Sequence, residues 1–180
     1  MIPVRASKAF EQSLEGFFEE CFGVPVVTHP TETRLPIPIQ DVCASIAFNS
    51  DKLNGYLFLS TTLATLKASN PLVAMGEEVN EEELQEWAGE MVNQTLGRFR
   101  HMLLPYDVSI ELSIPTVIQG PSSIKHTSGE ALIRQISLPD NNLIDCVITM
   151  DFSSGFDAAS MDAAGPQEDL YWEEGAGTLL

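Results

Sequence analysis

Positive charge is scarce in this sequence. Only 9 Lys and Arg stand against 26 Asp and Glu, for a formal net charge of −17. A phosphate-backbone partner needs Lys and Arg to displace its counterions, so nucleic acid is excluded as a partner. An anionic membrane surface is excluded on the same ground. Cysteine is sparse too, with Cys21, Cys43 and Cys146 far apart and each set among apolar residues. That distribution reads as buried free thiols in a reducing compartment. His29, His101 and His126 are scattered, and no Cys or His lies at a metal-ligand spacing. The N-terminal MIPVRASKAFEQ lacks the apolar core of a signal peptide, and no run is long enough to span a bilayer. A soluble, acidic, cytoplasmic protein is expected, its 180 residues fitting one domain and some extra chain.

What is present is alternation of helical and strand patterns. In SKAFEQSLEGFFEECFG, Phe10, Leu14, Phe17, Phe18 and Cys21 recur at helical spacing, with Ser7 able to cap the start and Gly23 the end. VPVVTHPTETRLPIPIQ is broken by four prolines and reads as an irregular or edge strand. DVCASIAFNS and NGYLFLST predict a hairpin, with Val42, Ala44, Ile46 and Phe48 on one face and Asn54-Gly55 at the turn. A short helix over Thr62 to Met75 should be kinked or ended by Pro71. Asn80 and Glu83 form a capping-box start for a long helix that stops before Pro105.

The second half reads as strands. Val108, Ile110, Leu112 and Ile114 fall on one face, and EALIRQISL and LIDCVITMDF flank PDNN as a hairpin. The fold class expected is α+β, helices packed on an antiparallel sheet of about six strands. Residues 1–154 form the domain, and 155–180, without Lys or Arg, read as an acidic, mobile tail. Leu170–Tyr171–Trp172 within it is either a docking patch or a segment folded back on its own domain.

The long helix contains EWAGEMVNQTLGRFRHML, Glu86 to Leu103. At about 100° per residue, Leu84, Ala88, Met91, Val92, Leu96, Phe99, Met102 and Leu103 share one broad face. Glu86, Glu90, Asn93 and Gly97 share the opposite one, with Trp87 at its shoulder. Solvated surface is the plain reading of such a row. Asn and Gly are nevertheless poor choices for an exposed helix interior, each costing roughly 0.5–1 kcal/mol against Ala. Trp beside a polar strip poor in side chains is also a frequent contact feature. The alternatives are a helix contact for Gly97 and a partly buried core position for Trp87.

DVCASIAFNSDKLNGYLFLSTT, EWAGEMVNQTLGR and SIPTVIQG, in that order, resemble the CheX/CheC family of chemotaxis phosphatases, and its CheX branch more closely. The resemblance covers roughly Asp41 to Phe152, with Ser7 to Gly23 as the expected first helix. Gly89, Glu90, Asn93 and Gly97 match the family's G-E-x-x-N-x-x-x-G frame, which occurs once, and Pro115 stands at its proline. Glu86 departs from the family, which usually has Asp or Ser there, and sets like charges one turn apart. The segment after Phe152 has no counterpart in the family pattern.

The resemblance implies a CheC-like fold and a hydrolase of two-component signalling, whose substrate is the phosphorylated aspartate of a CheY-like response regulator. Asn93 would orient the attacking water, Glu90 would pair with the regulator's lysine, and Glu86, Trp87 and Gly97 would contact the partner. No cofactor of its own is implied, Mg²⁺ being held by the regulator. A homodimer, formed by pairing of an exposed edge strand, is implied as well. The alternative within the same fold is a non-catalytic adaptor binding a response regulator or a flagellar switch component. No Ser-His-Asp, Cys-His, metal or Gly-rich phosphate frame points to another enzyme class.

Overall fold

Two amphipathic helices and a sheet of alternating strands build the protein. The computed structural model describes residues 2–23, 26–30, 36–125, 130–138 and 142–163. Helix α1 (Val4–Phe22) buries Ala6, Ala9, Phe10, Ser13, Leu14, Phe17 and Phe18 along one stripe, and Gly23 closes it at φ 64°. It starts before Ser7. Pro3 stands at the N-cap without a capping side chain, and the free N–H groups of Val4 and Arg5 are satisfied from elsewhere, by the Asp162 carboxylate. The Ser7 hydroxyl instead accepts a hydrogen bond from Arg134.

Strands β1 (Val27–Pro30) and β2 (Ile37–Pro38) follow, then the long pair β3 (Val42–Asn49) and β4 (Leu53–Thr61). The β3–β4 reversal lies at Ser50–Lys52, where Ser50 Oγ accepts from the N–H groups of Lys52 and Leu53, not at Asn54-Gly55. Gly55 sits inside β4 because the strand that carries Thr149 passes so close. A Cβ there would lie 1.9 Å from the Thr149 carbonyl oxygen and 2.6 Å from the Phe48 ring. Helices α2 (Leu63–Ser69) and α3 (Pro71–Ala74) are divided at Asn70, which ends the first and whose side chain caps the second, with Pro71 in its first turn.

Helix α4 (Glu81–Leu103) begins with both bonds of the capping box. Glu83 N–H donates to Asn80 Oδ1 at 3.0 Å and Asn80 N–H donates to Glu83 Oε2 at 2.7 Å. A 3₁₀ turn, Leu104–Tyr106, follows it. Then come β5 (Glu111–Leu112), β6 (Thr116–Gln119), β7 (Ser123–Ile124), β8 (Glu130–Ser137), β9 (Leu143–Phe152) and a last helix α5 (Ala159–Ala163).

Among the described residues the main sheet has seven antiparallel strands in the order β1-β8-β9-β4-β3, with β5 and β6 both on the outer edge of β3. Val42, Ala44, Ile46 and Phe48 alternate onto one face with Leu57, Leu59, Ile144 and Ile148, and join α1 and α4 in one core. Cys43 and Val147 point the other way, into a smaller cluster with Ile37 of β2, Ile39 just after it and Ile124 of β7. The expected antiparallel α+β layering is present.

The domain does not stop at residue 154. Phe156 stacks on Phe152, Met161 is buried in the main core, and Asp162 caps α1. Packed structure therefore runs to the end of α5. The remaining residues, 164–180, with Leu170–Tyr171–Trp172, lie outside the described residues.

Candidate functional site

Helix α4 lies over β3 and β6 and turns its polar row toward the sheet edge. The row and the edge enclose an open groove of about 540 Å³. Its helix wall is Glu82, Gln85, Glu86, Gly89, Glu90 and Asn93, and its strand wall is Ser113, Ile114, Pro115 and Val117. Gly89 faces Pro115 and Val117 across the walls, and a Cβ there would make ordinary contact with both at 3.7 Å. One end is clamped by polar groups, Gln85 Nε2 donating to Gln119 Oε1 at 2.8 Å and Gln119 Nε2 donating to Glu81 Oε1.

Glu90 is exposed and Asn93 half-buried, one turn apart on the groove side. Gln94 Nε2 donates to Glu90 Oε1, which holds the carboxylate along the helix surface. Glu86 is exposed one turn earlier and lines the same groove. Gly97 lies a turn beyond the groove, and nothing comes within 4 Å of where its Cβ would be. Trp87 turns away. Its indole N–H donates to Ser69 Oγ at 3.0 Å, and its ring packs 6.2 Å from that of Phe17. The structure thus brings Glu86, Glu90 and Asn93 together, leaves Gly97 as open backbone beside them, and places Trp87 on the flank facing α1 and α2.

The strand wall carries a feature that the sequence pattern hides. Phe48 pairs with Leu112 and Ser45 with Thr116, so the edge spends one residue more than β3 over this span, which makes a β-bulge at Ser113–Pro115. Ser113 N–H donates to Ala47 O at 2.9 Å, and its hydroxyl accepts from Ala47 N–H at 3.0 Å, taking the place of a ladder carbonyl. Ile114, expected on the buried face with Val108 and Ile110, is instead 88% exposed. Pro115 was the available signal, because proline inside a strand pattern marks an edge or a bulge. Gln94 and Ser113 also escape a reading by motif.

The groove holds carboxylates and amides and, among the described residues, no basic one. It can therefore receive a cation, and Asn93 can both donate to and accept from a bound water. Among the described residues no group of three or more His, Cys, Asp or Glu could hold a metal ion, and no helix is long and apolar enough to cross a membrane.

Helices packed on an antiparallel sheet, in an arrangement shared with solved CheC-like proteins, give the class of fold. The structure superposes on the chemotaxis protein CheX from Vibrio vulnificus with a TM-score of 0.70, at 19% identity, covering 81% of this chain and 99% of that one. A CheC-like superfamily protein from Shewanella sp. PV-4 gives 0.68 at 19% identity, covering 83% and 99%. The CheX-CheY-BeF3-Mg²⁺ complex from Borrelia burgdorferi gives 0.66 at 20% identity, covering 80% and 96%. A search of curated protein sequences finds no match. The sequence model of the chemotaxis phosphatase CheX family matches residues 42–136, and the chain belongs to that family.

Proposed function

We propose that this chain is a protein-aspartyl-phosphate phosphatase acting on a CheY-like receiver domain. In it Asn93 orients the attacking water and Glu90 pairs with a lysine beside the phosphorylated aspartate. The observation that carries this reading is an exposed carboxylate and a half-buried amide one turn apart, bordering an open groove, in a chain of the CheX family. The complex of Borrelia burgdorferi CheX with CheY supports a CheY-like partner.

The reaction forms a bond from a water oxygen to phosphorus and breaks the bond from phosphorus to the aspartyl oxygen. Inorganic phosphate and a free carboxylate result, and the water's proton passes to phosphate and solvent. Loose phosphoryl-transfer transition states respond mainly to positioning and charge stabilisation. Asn93 suits that task. Its Oδ1 accepts a hydrogen bond from the water, its Nδ2 donates nearby, and it does not titrate. Glu90 sets the reach of Asn93 by gripping the partner's ammonium and has no need to act as a base. Mg²⁺ belongs to the regulator in this scheme, and the phosphatase brings no cofactor. The reading carries with it a cytoplasmic location and a homodimer, the latter checked by light scattering.

The test is a CheY receiver domain phosphorylated with acetyl phosphate and followed as it loses phosphate. Asn93→Ala should slow the loss by a factor on the order of 10² and leave the Kd for the beryllofluoride-activated receiver unchanged. A wild-type rate in that variant would reduce the row to a docking surface and favour the non-catalytic adaptor.

A further inference from the structure

We propose that Ile114, raised by the β-bulge on the strand wall of the groove, is the apolar anchor by which this site grips its receiver domain. The inference rests on the phosphatase reading and adds to it a residue that decides affinity.

Ile114 is the most exposed large hydrophobic side chain among the described residues, at 88%, ahead of Met75 at 75%. A single exposed aliphatic residue is ordinary. This one lines the same groove as Glu90 and Asn93, so whatever seats over that pair must also cover Ile114.

Its neighbours hold it out. The bulge removes it from the buried alternation of Val108 and Ile110, both fully buried. The backbone on either side is fixed. Ser113 is tied to Ala47 by two hydrogen bonds, and Pro115 confines the residue before it to extended conformations. Pro115 in turn backs onto Gly89 of α4. Isoleucine is itself stiff at χ1. A rigid apolar knob loses little freedom when a partner covers it, which is the condition for turning buried area into affinity.

The two walls therefore ask for two kinds of chemistry. Glu86 and Glu90 on the helix wall, with no basic residue among the described residues that line the groove, select a cation. Ile114 and Pro115 on the strand wall select an apolar side chain beside it. The occupant is a receiver-domain surface that presents an ammonium next to an aliphatic patch, with charge setting its register and Ile114 supplying hydrophobic contact.

The experiment separates affinity from chemistry. Ile114→Ala, Ile114→Asp and Ile114→Leu are assayed with the phosphorylated CheY receiver for KM and kcat, and with the beryllofluoride-activated receiver for Kd. Ile114→Ala should raise KM and Kd on the order of tenfold, from the methyl and methylene groups it no longer buries, with kcat within about twofold. Ile114→Asp should raise them further, and Ile114→Leu should stay close to wild type. Melting curves check folding, which an exposed substitution leaves intact. Wild-type KM and Kd in both Ile114→Ala and Ile114→Asp would overturn the anchor while leaving the phosphatase reading in place. Binding without hydrolysis by the wild-type chain would defeat the phosphatase reading alone, and the Kd series would still decide Ile114. A wild-type chain that neither binds nor hydrolyses the receiver would overturn both.

Discussion

Trp87 Nε1 donates a hydrogen bond to Ser69 Oγ at 3.0 Å and so ties α4 to the last turn of α2. Ser69 Oγ itself donates to Leu66 O at 3.1 Å, which leaves the hydroxyl oxygen free to accept from the indole. Trp87→Phe keeps the ring contact with Phe17 and loses the donor. The cost should be about 1 kcal/mol, the usual net worth of such a bond, read as a shift of the urea midpoint with an unchanged slope.

Glu90 and Asn93 should fail differently when removed. On the proposed mechanism Asn93→Ala should be a rate defect, whereas Glu90→Ala would take away a charge-assisted contact made before the chemistry and should raise KM as well as lower kcat/KM. Adding salt should weaken wild-type docking and have less effect on Glu90→Ala. Glu86→Asp restores the residue type usual in the family. A faster rate in that variant would identify Glu86 as a brake on the enzyme.

Gly97→Ala should move stability and binding in opposite directions. The helix gains about 0.8–1 kcal/mol from replacing glycine, and the new methyl meets nothing within 4 Å. If a partner's loop uses that bare backbone, the same methyl raises KM several-fold. A higher melting temperature with unchanged KM would remove Gly97 from the docking surface.

The Asp162 carboxyl is held below its usual range by the N–H groups of Arg5 and Val4, with the Arg5 charge adding to them. A depressed folded value means that the stabilisation is complete above the unfolded value, about 3.9. It is lost as pH falls through the lower folded one. Melting temperatures of wild type and Asp162→Asn should therefore differ at neutral pH and converge as the solution is acidified below about pH 4. Truncation after residue 154 should lower the melting temperature at every pH, because it uncovers the core around Met161 as well.

The thiols should be inert in the folded protein. Burial pushes Cys21 up to about 11 and Cys43 up to about 12, and drives the fully buried Cys146 well above the ordinary thiol range. Thiolate is the reactive form, so iodoacetamide at pH 8 should label the native chain far more slowly than the urea-unfolded one. Rapid native labelling of Cys43 would contradict its burial.

Legibility in the sequence followed range along the chain. The α4 start was readable because Asn80 and Glu83 need only each other, and the apolar stripe of α4 because its period is local. The row of Glu90, Asn93 and Gly97 emerged from the same period, and the family resemblance gave it a chemistry. Gly55 misled, since an Asn-Gly pair signals a turn and the carbonyl of Thr149 that demands glycine lies on another strand. The bulge was hidden by an unbroken alternation from Val108 to Ile114, because register belongs to two strands at once. The role of Asp162 was out of reach for the same kind of reason, its partners Val4 and Arg5 standing at the opposite end of the domain.

That last contact has a consequence for synthesis. Helix α1 carries no capping side chain of its own at Pro3, and the carboxylate that serves it is made much later, with residue 162. Strand β9, which pairs with both β4 and β8, is likewise made after both of its partners. Contacts that join the two ends of a chain close late. The nascent protein must therefore carry α1 uncapped, and its apolar stripe without the completed sheet, until nearly the whole domain has emerged.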